Sequence, residues 1–191
     1  MLERLFTSKT RIRILTLLMF NQDKEYHLRE IARLIKTSPI YAAKELDNLA
    51  KLSLVKKSKK ANLSIYSINR NCVFLNELKQ IFIKTDYLGE LLKKELRDQV
   101  KYAFIYGSFA ESVETESSDI DLFIISEMKE DDLIKIIQKL EKTTDREINY
   151  ILWNERTFNQ RAEDHHLLKT IKKSRIIMLI GNENEFRQKI K

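Results

Sequence analysis

The chain has 191 residues, of which 43% are apolar and 33% charged, the mix of a globular protein with enough chain for one large domain or two small ones. No apolar run approaches the ~20 residues of a membrane span. The N-terminal stretch MLERLFTSKTRIRILTLLMF has no continuous apolar core of the signal-peptide kind, and a single cysteine, Cys72, excludes an internal disulfide. Together these predict a cytoplasmic, reduced protein. The net charge of +7 is unevenly spread: residues 1–70 carry 15 Lys+Arg against 6 Asp+Glu, and residues 71–191 carry 20 against 22. A basic module beside a near-neutral one predicts a polyanionic partner for the first module only.

The elements of the basic module follow in order. Residues 9–20 place Ile12, Leu15, Leu18 and Met19 at helical spacing, and YHLREIARLI repeats it with Leu28, Ile31, Ala32 and Ile35. In TSPIYAAKELDNLAKLSLV, Ser38 can cap a third helix whose first position is Pro39, the chain's one proline. Ala42, Leu46 and Leu49 form its inner face; Ser38, Tyr41 and Lys44 lie outward. After Leu52 the period falls to two: LVKKSK, a polar tip at Lys60-Ala61-Asn62, then LSIYSIN, a β-hairpin.

Helix, helix, turn, helix and basic hairpin resemble the winged helix-turn-helix of the arsenic-repressor-like regulators over residues 5–70, most clearly in LREIARLIKTSPIYAAKELDNLAKLSLVKK. The resemblance implies a partner of double-stranded DNA and a homodimer, because two-fold half-sites reward two-fold proteins. The helix from Pro39 would enter the major groove by its N-terminal end. Ser38, Tyr41 and Lys44 would then reach phosphates or base edges, and Lys56, Lys57, Lys59 and Lys60 would lie along the backbone.

Residues 73–97 repeat apolar side chains every three or four positions, from Phe74 to Leu96, a long helical stretch that Gly89 kinks or divides. From Lys101 strands and helices alternate: KYAFIYG, a short SFAESVE helix, the strand DIDLFIIS, the helix EDDLIKIIQKLEK, the strands REINYILW and SRIIMLIG, and NERTFNQRAED as a helix over the sheet. Asp119 and Asp121 lie two apart, so both face one side of a largely buried strand. Two carboxylates so placed raise each other's pKa, and a cation between them relieves the repulsion; for oxygen ligands that is Mg²⁺ or Mn²⁺. Gly107-Ser108 ends one strand and opens a helix, where the backbone can approach phosphate. The adjacent histidines His165 and His166 would point about 100° apart on a helix and do not chelate one ion well.

Gly-Ser, ten residues, then Asp-x-Asp resembles the signature of the DNA polymerase beta-like nucleotidyltransferase superfamily, in the form of the minimal prokaryotic domains, over roughly residues 98–181. The resemblance implies that Asp119 and Asp121 hold Mg²⁺ or Mn²⁺ and that Gly107 and Ser108 hold the β- and γ-phosphates of an NTP. It also implies transfer of a nucleoside monophosphate to an acceptor, with a protein acceptor by analogy with toxin–antitoxin members. The chain departs from the pattern twice. Ser112 stands where the second glycine of G-S-x-A-x-G falls, and Asn149 stands at the register of the third carboxylate, with Glu147 two residues earlier on the same face. The resulting picture is an α+β chain of two domains: a winged helix-turn-helix over 1–70, a connecting helical segment over 71–97, and a nucleotidyltransferase-type mixed sheet with helices over 98–191. Catalysis would rest on Asp119, Asp121 and Glu147, with Asn149 beside the nucleotide. The alternative is a transcription regulator without catalysis, whose second domain senses a ligand or dimerises.

Overall fold

The computed structural model describes residues 2–60, 63–96, 99–111, 113 and 118–190; Ala61 and Asn62 of the expected hairpin tip, and Ser112, lie outside them. The chain forms two compact units, Met1–Phe82 and Ile83–Lys191. No described helix is long and apolar enough to cross a membrane.

The first unit runs α1 (Leu2–Phe6), α2 (Lys9–Met19), β1 (Tyr26–His27), α3 (Leu28–Leu34), α4 (Pro39–Lys51), β2 (Val55–Lys60), β3 (Leu63–Ile68) and α5 (Leu75–Phe82). Ser8 caps α2 by accepting from the Arg11 N–H, and Ser38 caps α4 by accepting from the Tyr41 N–H, with Pro39 at the first helical position. Ile14, Leu15 and Leu18 of α2, Ile31 of α3, and Ala42, Leu46 and Leu49 of α4 are buried, each large side chain contributing roughly 1.5–3 kcal/mol. One polar cluster orients α4 against α2: Arg11 Nε donates to Glu45 Oε2 at 2.9 Å and Ser8 Oγ donates to Glu45 Oε1 at 3.0 Å. The hairpin β2–β3 gains a third strand that has no sequence signal. β1 is too short to show a period, yet it pairs antiparallel with β3, Tyr26 opposite Tyr66, in the order β1-β3-β2.

The helical stretch read over 73–97 is divided: α5 ends at Phe82, a π-helical turn spans Ile83–Tyr87, and α6 (Gly89–Leu96) follows. The Leu88 N–H donates to the Ile83 carbonyl at 3.2 Å, the longer-range bond of a π-turn.

The second unit continues with β4 (Val100–Tyr106), α7 (Gly107–Glu111), β5 (Ile120–Ser126), α8 (Glu130–Thr144), β6 (Ile148–Trp153), α9 (Glu155–Arg161), α10 (His166–Lys173), β7 (Ile177–Ile180) and α11 (Glu183–Lys189). The sheet order is β6-β5-β4-β7. β4 runs antiparallel to β5 and β7, and β5 runs parallel to β6 through the α8 crossover. β5 is buried on both faces, which is why LFII reads as a continuous apolar run. One face packs Tyr102, Phe104, Phe123 and Ile125 against Phe158, Leu168, Ile171 and Phe186 from α9, α10 and α11. Phe104 and Phe123 stack at 5.2 Å between centroids. This apolar block fixes the strands whose opposite ends carry the aspartates.

Candidate active site

Gly107 joins the two halves of the site. It follows β4 and opens α7 with φ +70°, a left-handed conformation that favours glycine, and a Cβ there would overlap Asp121 Oδ2. The turn that opens α7 therefore lies directly against the aspartate of β5. Asp121 is flanked in register by Tyr106 of β4 and Asn149 of β6. Asp119 lies one residue before β5 on the same side, and Asn149 Nδ2 donates to Asp119 Oδ2 at 3.2 Å. Asp119, Asp121, Gly107 and Ser108 are half-buried, and Asn149 is exposed.

Burial pushes the Asp121 carboxyl above the ordinary carboxylate range, and the nearby Asp119 charge pushes the same way; hydrogen bonding by Asn149 opposes both. Burial, with Asp121, likewise raises the Tyr106 phenol. Two half-buried carboxylates that repel each other fit one hard divalent cation. Mg²⁺ commonly takes one or two carboxylates and completes its shell with phosphate oxygens and water. A second cation is poorly served, because Asn149 offers a neutral amide. Among the described residues, no group of three or more His, Cys, Asp and Glu could hold a metal.

Glu147 is exposed, and its carbonyl accepts from the Ile120 N–H at 2.9 Å, which pins the start of β6 to the start of β5. It lines a shallow depression with Glu141, Lys142, Asp145 and Arg146. Arg146, for which the sequence carries no signal, does more to shape the site. Its Nη1 donates to the Ser118 carbonyl at 2.8 Å, immediately before Asp119, and its guanidinium lies 5.5 Å from the ring centre of Phe109, buried in α7. One side chain thus ties the entry of the aspartate strand to the helix that follows Gly107. His165 packs edge-on against Trp153, and Arg161 stacks over the same ring, so both belong to the far end of β6.

In the first unit, the Ser38 oxygen serves as the α4 cap, while Tyr41 and Lys44 are exposed. The hairpin lysines divide between two faces, Lys56 and Lys60 on one, Lys57 and Lys59 on the other. Lys57 Nζ pairs with Asp47 of α4 at 2.8 Å and lies 5.6 Å from the Tyr66 ring centre. The Asp47 hydrogen bond, then Tyr66, raise its pKa. Lys60 pairs with Glu25 at 2.5 Å.

Residues 88–181 match the family described as Polymerase beta, Nucleotidyltransferase. A Methanocaldococcus jannaschii protein named as a protein adenylyltransferase is 34% identical over 70 residues, which cover 37% of this chain and 70% of that protein. Among solved structures, the MntA–HpeT toxin–antitoxin is 14% identical, with 53% of this chain and 76% of that chain covered and a TM-score of 0.39. ZitR of Lactococcus lactis is 26% identical over 47% of this chain and 62% of that chain, with a TM-score of 0.35. Neither structural likeness adds to the assignment, which rests on the family match and on the relative of which this chain spans 70%. With Gly107 set against Asp121 inside the matched stretch, the chain belongs to the polymerase beta nucleotidyltransferase family.

Proposed function

We propose that this is a DNA-binding protein whose second unit binds an NTP with Mg²⁺ or Mn²⁺ and transfers its nucleoside monophosphate to a hydroxyl of a protein acceptor. The observation that carries the proposal is the close approach of the Gly107 turn to Asp121, which sets the Gly-Ser backbone beside the paired carboxylates. A bound cation would polarise the α-phosphate and neutralise developing charge. The chain's own groups do the rest. Asp119 and Asp121 supply the oxygen donors, and Asn149 orients Asp119. The Gly107 and Ser108 backbone accommodates the β- and γ-phosphates. Arg146 keeps strand and turn in register. The acceptor oxygen forms a bond to the α-phosphorus as the bond to the β-phosphate oxygen breaks, pyrophosphate leaves, and the acceptor's proton passes to a base. Glu147 is the carboxylate proposed for that proton. The acceptor class is taken from the name of the M. jannaschii relative.

For the first unit we propose a winged helix-turn-helix that binds duplex DNA as a homodimer. The support is α4 with its exposed outer face, the antiparallel hairpin and the basic excess of residues 1–70. The test of the catalytic part is pyrophosphate release from each of the four NTPs in Mg²⁺ and Mn²⁺, with Asp119→Asn/Asp121→Asn as control. Release lost in the control supports transfer. One observation favours a second reading, a regulator that binds nucleotide without chemistry: a neutral amide occupies the third position and donates to Asp119. That reading predicts metal-dependent NTP binding with no pyrophosphate release, whichever acceptor is supplied.

A further inference from the structure

Two consecutive large side chains stand at the head of α4 with no core to cover. Ile40 is 80% exposed and Tyr41 66% exposed, while Ala42, Leu46 and Leu49 of the same helix are buried. Exposed cations lie close to them in the chain: Arg33 and Lys36 precede the helix, and Lys44 follows one turn on. The carboxylates of α4 are engaged elsewhere, Glu45 with Arg11 and Ser8, and Asp47 with Lys57. The head of α4 therefore exposes an apolar pair within a stretch, residues 31–44, whose charged residues are all cations. The Ser38 cap and Pro39 fix its backbone, and a β-branched side chain on a helix keeps one preferred χ1, so Ile40 is presented in a defined direction.

A polyanion that also offers apolar spots fits this surface. The major groove of duplex DNA is such a ligand: phosphates line its edges, and each thymine projects a C5-methyl group into it. We propose that Ile40 is a base-reading residue that packs on a thymine methyl in the major groove, with Tyr41 alongside. The inference rests on the DNA-binding reading of the first unit and adds the feature of the base that is read.

The test uses the full chain. Preferred duplexes are selected from a random pool, then resynthesised with each thymine replaced in turn by uracil, which lacks only the methyl. Burying one methyl is worth ~0.8 kcal/mol, so one such replacement is expected to weaken binding about fourfold. Ile40→Ala is expected to bind the thymine duplex more weakly and to bind thymine and uracil duplexes equally. Its salt dependence should match that of the unaltered chain, because no phosphate contact is lost. Ile40 is a surface residue, so melting of the variant verifies an intact fold. Indifference to uracil at every thymine would overturn the inference while leaving DNA binding in place, and so would an Ile40→Ala protein that discriminates as well as the unaltered chain. If the full chain binds no duplex even at low salt, the DNA-binding reading fails and the inference falls with it; the exposed pair would then belong to a protein interface.

Discussion

Replacing Gly107 by alanine tests the link between the turn and the aspartate strand. The substitution places a side chain at φ +70° and a Cβ into Asp121 Oδ2. The backbone conformation costs roughly 1–2 kcal/mol for a non-glycine residue, and displacing a packed neighbour costs about 1–3 kcal/mol. A stability loss of about 2–5 kcal/mol is expected, a large share of the ~5–15 kcal/mol of a typical domain. Because Asp121 must swing away, binding of ATP with Mg²⁺ should fall by more than about tenfold, or ~1.4 kcal/mol. Gly181→Ala is the control: its φ is +91° and its Cβ would lie 2.6 Å from the Lys101 carbonyl oxygen and 2.5 Å from Tyr102 Cδ1, with no aspartate among these close neighbours. It should lose comparable stability and keep nucleotide affinity. Urea unfolding and calorimetric titration with ATP read the two quantities separately. A Gly107→Ala protein as stable as its parent, or one that is destabilised yet binds ATP equally well, would refute the reasoning.

Three further outcomes follow from the same geometry. Asp121→Asn should raise the melting temperature at neutral pH. The folded-state pKa of Asp121 lies above its ordinary value of 3.8 because of burial and Asp119, so its ionised form costs stability above the folded pKa, and the advantage of Asn should vanish as pH falls below that ordinary value. Arg146→Met removes a charged hydrogen bond to Ser118 and the contact with Phe109; a loss of about 1–3 kcal/mol is expected in urea unfolding, together with weaker ATP binding that Arg146→Lys does not restore. In the hairpin, Lys59→Gln should reduce the salt slope of duplex binding by about 0.9 if Lys59 meets a phosphate, while Lys57→Gln should reduce it less, because Lys57 is engaged by Asp47.

Much of this arrangement is legible in the sequence because its signals are local. The alternation of DIDLFIIS places Asp119 and Asp121 on one face, and strand register brings Asn149 beside Asp121. Capping and periodicity announce α2, α3 and α4, with Ser38 and Pro39 marking the start of α4. What stays hidden depends on partners distant in the chain. β1 is two residues long and exists only through its pairing with β3. Gly89 announces a break in the 73–97 helix, but its form, a π-turn closed by the Leu88–Ile83 bond, is something no apolar pattern reports. Arg146 is a lone cation before a strand until Ser118 and Phe109 are placed around it. Likewise, four hairpin lysines look equivalent until Asp47 and Glu25 claim two of them.

The most direct test of the central claim is a calorimetric titration of the full chain with ATP, in Mg²⁺ and in EDTA, beside Asp119→Asn/Asp121→Asn. The account predicts binding that requires the metal and disappears in the double variant. Binding that persists in EDTA or survives loss of both aspartates, or no binding at all, would contradict it.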